Sequence, residues 1–291
     1  SGPLGAITMI MADSSRRFDD NDVRFAEDLA RRAALAVETV TAFAAQEGRL
    51  EAVARVADAA QRAILPTPPE AIGNLRIGAR YVSATAEALV GGDLYEVVRR
   101  PGAVRLLIGD VRGKGLEAVR NATIVLGEFR AAAEDLDDLT AVAVQLDRRL
   151  SGHLDLEDFV TALVAEITDD GAFAIVSCGH PPALVVSPTD IRVVEAPDAL
   201  PLGLGSTPGQ VTGRLLPGER LLLYTDGLVE ARDASRAFAD VRQLVAPLQT
   251  ESDLGKGLDR VLESVQLWTG SGLGDDLALL AVELPLPVRS P

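Results

Sequence analysis

The sequence predicts an α+β fold in which antiparallel sheets pack on one another and helices cover their outer faces. Two observations carry that expectation. Strand-like runs come in clusters joined by short turns, which suits antiparallel neighbours, because parallel strands need a crossover of a dozen residues or more. The helical stretches fall between or after those clusters, so strict alternation of strand and helix is absent, and no internal repeat is visible.

In chain order, Leu4-Gly5-Ala6-Ile7-Thr8-Met9-Ile10-Met11 reads as a β-strand with no partner nearby, and Asp19-Asp20-Asn21-Asp22 offers N-caps for a helix. Apolar or small residues then recur in steps of three and four at Phe25, Leu29, Ala33, Ala36, Val40, Phe43, Leu50, Ala54, Ala57 and Ile64, with Glu47, Gly48 and Gln61 interrupting the seam. A helix with that seam packs either on its own domain or on a second copy of itself. Pro66, Pro68 and Pro69 end it. Strands follow at Leu75 to Ser83, Leu94 to Arg99, Val104 to Ile108, Phe159 to Ile167, Ala172 to Ser177, Ala183 to Ser187 and Ile191 to Glu195. Amphipathic helices are expected over Leu116 to Ala133, Leu139 to Leu150 and Leu254 to Trp268. Residues 1–45 and 46–72 thus form an amino-terminal piece and a helical linker, 73–286 the main domain and 287–291 a tail. The chain starts at Ser1, partway into a strand-like run, so a longer parent protein is expected.

Composition excludes several classes. The 43 acidic against 28 basic residues leave a formal charge of -15, which repels nucleic-acid backbones and anionic lipid. One cysteine, Cys178, leaves no internal disulfide and suits a reducing cytoplasm. No apolar run approaches the roughly 20 residues of a membrane span, and the start lacks the pattern of a signal peptide, so no membrane insertion is expected.

Four aspartates stand out by position. Asp93 follows Val90-Gly91-Gly92, Asp110 follows Leu106-Leu107-Ile108-Gly109, Asp226 follows Leu221-Leu222-Leu223-Tyr224-Thr225, and Asp275 comes shortly before Leu277-Ala278-Leu279-Leu280. Each borders a strand, so strand ends that converge at one edge of a sandwich would bring all four together. Carboxylates gathered in a cleft raise one another's pKa unless cations compensate, and hard oxygen donors suit magnesium or manganese. Gly91, Gly92, Gly109 and Gly227 let backbone approach such a site closely. Any one Gly-Asp or Asp-Gly pair is explained by an ordinary turn; four in order are not.

These residues carry a resemblance. Val90-Gly91-Gly92-Asp93-Leu94-Tyr95, Ile108-Gly109-Asp110-Val111-Arg112-Gly113-Lys114-Gly115, Phe159-Val160-Thr161, Cys178-Gly179-His180-Pro181-Pro182, Tyr224-Thr225-Asp226-Gly227-Leu228-Val229-Glu230-Ala231 and Gly274-Asp275-Asp276-Leu277 resemble the metal-dependent PP2C-type protein phosphatases. Within that family they are closest to the bacterial SpoIIE/RsbU-like branch, over roughly Leu75 to Leu284. The resemblance implies an αββα sandwich of two antiparallel sheets and a serine/threonine phosphatase that uses two Mn2+ or Mg2+ ions to activate the attacking water. It implies that Asp110 bridges both ions. Asp93 with the backbone of Gly92 or Val111 would serve one side, and Asp226 with Asp275 the other. Asp276 joins the metal set as a supporting candidate that touches a ligand. The implied substrate is a phosphorylated anti-anti-sigma factor of STAS type. Tyr95-Glu96 and Leu277-Ala278 depart from the family's commoner Tyr-Asp and Met-Thr, and Ser83 to Leu89 replaces its short link before the double glycine. Leu4 to about Phe43, with Arg17-Phe18 and Phe25-Ala26-Glu27-Asp28-Leu29-Ala30, resembles the end of a GAF sensor domain. That likeness implies signalling through the linker, with a homodimer among its means.

Other phosphatase chemistries fit poorly. A cysteine nucleophile needs an arginine six positions on, where Leu184 follows Cys178; a calcineurin-like centre needs several histidines, and the chain has His153 and His180 alone; Gly113-Lys114-Gly115 lacks the spacing of a P-loop. His180, at a strand-to-turn boundary, reads as a hydrogen-bonded structural histidine before a catalytic acid. The alternative from a different class is a catalytically degenerate domain that binds a phosphoprotein as a regulatory adaptor.

Overall fold

The computed structural model describes residues 5–8, 10, 17–84, 91–155, 157–270 and 272–287. In chain order the elements are α1 (Asp20–Ile64), β1 (Ala71–Ile72), β2 (Leu75–Val82), β3 (Asp93–Arg100), β4 (Ala103–Val111), α2 (Leu116–Asp135), α3 (Leu139–Leu150), β5 (Val160–Thr168), β6 (Ala172–Cys178), β7 (Ala183–Val186) and β8 (Ile191–Val194). There follow β9 (Gln210–Arg214), β10 (Arg220–Tyr224), α4 (Asp226–Val229), α5 (Val241–Val245), α6 (Pro247–Thr250), α7 (Leu254–Thr269) and β11 (Leu277–Glu283).

The strands form two sheets, ordered β1-β2-β11-β10-β7-β8 and β3-β4-β5-β6-β9, with antiparallel pairing throughout both. Three apolar layers hold them. Leu106, Ile108, Leu163, Ala165, Ile167, Leu221, Leu223, Ala278, Leu280 and Val282 fill the space between the sheets. The alternate residues point the other way: Leu107, Ala162 and Val164 meet α2 and α3, while Leu222, Leu277, Leu279 and Ala281 meet α7. Burial on both faces explains why runs such as Leu221-Leu222-Leu223 are apolar without interruption, where a sheet with one wet face would alternate. The result is an αββα sandwich.

Two buried arginines tie helices to sheets. Arg105 on β4 donates through Nε to Glu166 at 2.5 Å and through its other nitrogens to the carbonyls of Ala133, Leu136 and Asp137, covering the end of α2 where backbone acceptors run out. Arg220 on β10 donates to Glu283 at 3.1 Å and to the carbonyl of Leu248 at 2.7 Å.

Residues 1–53 and 54–291 are separate compact units. In the first, the described residues of the expected opening strand, 5–8 and 10, pair with nothing and carry no strand; Leu4, Met9 and Met11 lie outside the described residues. A strand exists only in a ladder, and apolar composition alone does not supply the partner. The seam residues Phe25, Leu29, Val40 and Phe43 of α1 are exposed. The side chains at Glu47, Gly48, Leu50, Ala54, Ala57 and Gln61 lie outside the described residues. Among those residues no helix is long and apolar enough to cross a membrane.

Candidate active site

Each strand of the inner layer has an apolar inward stripe, and several of those stripes end in a polar residue at the same mouth of the sandwich. On β3 the inward positions run back from Tyr95 to Asp93, and on β4 forward from Leu106 and Ile108 to Asp110. Asp93 and Asp110 are register partners. Directly opposed carboxylates destabilise a sheet, so this pair calls for a compensating charge. Thr161, beside Asp110 on β5, ends a third stripe. From the other sheet, β10 ends at Tyr224 and hands on to Thr225 and Asp226, the latter the first residue of α4, while Asp275 and Asp276 lead into β11.

Carboxylate oxygens of Asp93, Asp110 and Asp226 lie within 4.8 Å of one another. All three pKa values are pushed up. Burial acts first on Asp93, with Asp110, Asp276 and Asp226 adding to it, and Thr225 opposing. Asp110 rises to about 7 through burial and then Asp226, Asp275 and Asp276, with Lys114 pulling the other way. Burial also leads at Asp226, followed by Asp275 and Glu230. A buried group of acceptor-only oxygens that disfavour their own ionisation fits a hard divalent cation, which would replace mutual repulsion with attraction.

Glycine is obligatory at two approaches. A Cβ on Gly92 would stand 2.0 Å from the carbonyl oxygen of Val111 and 2.8 Å from an Asp110 carboxylate oxygen; one on Gly227 would stand 2.0 Å from the carbonyl oxygen of Asp276. The Gly92 carbonyl accepts from the Val111 amide at 3.1 Å. Val90 and residues 85–89, where the family link differs, lie outside the described residues.

The two neighbouring aspartates before β11 differ in their surroundings. Asp275 is half-buried, and it influences Asp110 and Asp226 without belonging to the close triad. Both oxygens of buried Asp276 take protein donors: Oδ2 the Tyr81 hydroxyl at 2.5 Å and the Gly91 amide at 3.1 Å, Oδ1 the Ala84 amide at 2.8 Å and the Ser83 hydroxyl at 3.4 Å. Asp276 thus closes the two ends of the segment between β2 and β3. The family resemblance already set Asp276 behind Asp275 as a supporting candidate, and parity agrees, since 276 falls on the inward stripe of 278, 280 and 282.

His180 joins the sheets beside the aspartates. Its Nδ1 lies 2.9 Å from the Thr161 hydroxyl and its Nε2 3.1 Å from the Tyr224 carbonyl. That carbonyl can only accept, so Nε2 carries the proton and Nδ1 accepts from Thr161. Burial holds the ring neutral, with its pKa lowered to about 4. A cleft of about 780 Å3 lined by Ser177, Glu195, Asp198 and Gln210 lies against the same histidine and is not lined by Asp93, Asp110, Asp226, Asp275 or Asp276. Of the departures from the family pattern, Glu96 faces the helices and pairs with Arg130 at 2.5 Å, while the Ser83 hydroxyl and the Ala84 amide donate to Asp276. Thr225, for which sequence reasoning finds no role, is fully buried and touches Asp93.

The αββα sandwich is PP2C-like. The SiaA-PP2C domain of Pseudomonas aeruginosa superposes with a TM-score of 0.68 at 18% identity, over 82% of this chain and 98% of that one. Residues 100–285 match the family described as Stage II sporulation protein E (SpoIIE), and the chain belongs to this family of PP2C-type serine/threonine phosphatases. It is similar to the phosphoserine phosphatase RsbU of Bacillus subtilis, 27% identical over 177 residues, which cover 59% of this chain and 52% of that protein. The chain therefore spans about half the length of that relative. The RsbU and RsbW domains of Rv1364c from Mycobacterium tuberculosis superpose with a TM-score of 0.62 at 27% identity, over 73% of this chain and 61% of that one.

Proposed function

We propose that this chain hydrolyses phosphoserine or phosphothreonine in a protein substrate, with divalent metal held by Asp93, Asp110, Asp226 and Asp275. One observation carries the reading: carboxylate oxygens from both sheets, on buried Asp93 and half-buried Asp110 and Asp226, lie within 4.8 Å of one another. Asp110 is the strand partner of Asp93 and shares the cluster with Asp226 from across the sandwich, which supports the bridging role; Asp275 adds a carboxylate that acts on Asp110 and Asp226, and Gly92 brings its backbone beside Asp93. When bound, Mn2+ or Mg2+ supplies an acidified water and neutralises phosphoryl oxygens. The residues' own part is to fix that cluster and shut out bulk water: Asp276 braces the segment before β3, and His180 holds the ends of β5 and β10 together.

The substrate we favour is a phosphorylated anti-anti-sigma factor of STAS type, supported by the similarity to RsbU. The amino-terminal unit, with its GAF-like residues and the exposed apolar seam of α1, would carry a signal into the phosphatase through a helical homodimer in the cytoplasm. Phosphate release from p-nitrophenyl phosphate and from a phosphorylated STAS protein, with Mn2+ and with chelator, tests the core of this reading. Release with Mn2+ that chelator abolishes is expected; no release would leave the adaptor reading, and metal-independent release would overturn the metal-dependent mechanism.

A further inference from the structure

Thr225 sits where the two sheets meet the aspartates. Its side chain is completely buried, and its hydroxyl has two partners of fixed role. The amide of Ala278, on β11, donates to Oγ1 at 2.9 Å, and Oγ1 lies 2.6 Å from Oδ2 of Asp93. A hydroxyl has a single proton. Since the Ala278 amide must use the oxygen as acceptor, that proton goes to the carboxylate. The backbone confirms the anchoring, because the Thr225 amide donates to the Ala278 carbonyl at 3.1 Å.

We infer that Thr225 is a positioning residue for metal binding: it locks the rotation of the Asp93 carboxylate from the opposite sheet, so that Asp93 meets Asp110 and Asp226 in one geometry. The inference rests on the metal-dependent reading above and adds to it a residue that touches no reacting atom. Three features support the assignment. Asp93 is carried by the sheet of β3 and β4, whereas Thr225 and Ala278 belong to the sheet of β10 and β11, so this short contact spans the layers at the cluster itself. The donor is rigid, since a threonine hydroxyl anchored by a backbone amide cannot turn away. Its charge sense is also right, because a proton donated to the carboxylate favours the ionised form that a cation needs.

The test is Mn2+ titration by calorimetry on the full chain, for the wild type, Thr225→Val and Thr225→Ser, with circular dichroism of each. Valine keeps the shape and removes the hydroxyl; serine keeps the hydroxyl and removes the methyl. Outer partners of metal ligands typically account for roughly tenfold to a hundredfold in affinity. The expected result is Mn2+ affinity at least tenfold weaker in Thr225→Val with unchanged secondary structure, and wild-type affinity in Thr225→Ser. A folded Thr225→Val that binds Mn2+ as tightly as wild type overturns the inference. So does a folded Thr225→Ser that binds tenfold more weakly, and this second comparison decides if the valine variant does not fold. A wild type that binds no Mn2+ overturns the metal-dependent reading itself.

Discussion

Replacing Asp110 by asparagine separates the two jobs of the acidic mouth, because its effect on stability should reverse sign with metal. In the chelated protein Asp110 is held at a pKa of about 7 against an ordinary 3.8, by burial first and then by Asp226, Asp275 and Asp276. A shift of that size disfavours the charged carboxylate in the folded state by roughly 4 kcal/mol at pH 8. The native state binds a proton more tightly than the unfolded chain, so this residue's penalty grows as pH rises from about 4 to about 7 and is complete above that. Asparagine keeps the shape and removes the charge, yet still bears the milder burial cost of an amide, so a net gain of about 1–3 kcal/mol is expected at pH 8. For a domain of this size that is a rise of several degrees in Tm, at about 2–4 °C per kcal/mol. With saturating Mn2+ the order should invert, since the variant loses the bridging carboxylate, and turnover should vanish. Thermal unfolding of both proteins in chelator and in Mn2+, at pH 5 and pH 8, measures all of this. A chelated Asp110→Asn protein no more stable than wild type at pH 8 would refute the repulsion argument, and retained turnover would refute the bridging role.

Three further outcomes follow from the geometry. Asp276→Ala should lower the chelated Tm by the equivalent of about 3 kcal/mol, because it strands the donors of Tyr81, Ala84 and Gly91, whereas Asp275→Ala should not lower it; parallel melts distinguish the neighbours. Gly92→Ala should cost about 4 kcal/mol or more, its Cβ having only the Val111 backbone to move against, while Gly127→Ala, exposed on α2 with nothing within 4 Å, should add about 0.5–1 kcal/mol by chemical denaturation. His180→Ala should cost about 2–4 kcal/mol at neutral pH by leaving the Tyr224 carbonyl and Thr161 hydroxyl short of partners. Since burial lowers the histidine pKa from 6.5 to about 4, its contribution is complete above pH 6.5 and is lost as pH falls through 4, so wild type and variant should converge in acid.

Much of the sandwich could be read from apolar runs. The ends of β2 to β8 and of α2, α3 and α7 fall within three residues of the expected ones, because each run buries two faces and so stands out from the turns beside it. β9 was missed for the opposite reason: Gln210-Val211-Thr212-Gly213-Arg214 lies at a sheet edge, largely exposed, and reads as loop. The short helices α4, α5 and α6 are too brief to show a period. At the site, sequence spacing found the aspartates by their position at strand ends, and the structure brings Asp93, Asp110 and Asp226 together. What spacing could not provide was direction. Counting by twos inward along each strand lands on Asp93, Asp110, Thr161, Thr225 and Asp276, whereas Asp226, which completes the close triad, is placed by the turn into α4. The partners of Thr225 and His180 come from strands far away in sequence, and only the paired sheets disclose them.

The split ownership of the aspartates has a consequence for how the protein acquires its cofactor. Asp93 and Asp110 belong to one sheet, and Asp226 and Asp275 adjoin the other, so a chain with a single sheet assembled offers half a binding site. An ion would then be captured only after the layers dock, and once captured it would act as a rivet across the seam. Loading would serve as a checkpoint on assembly.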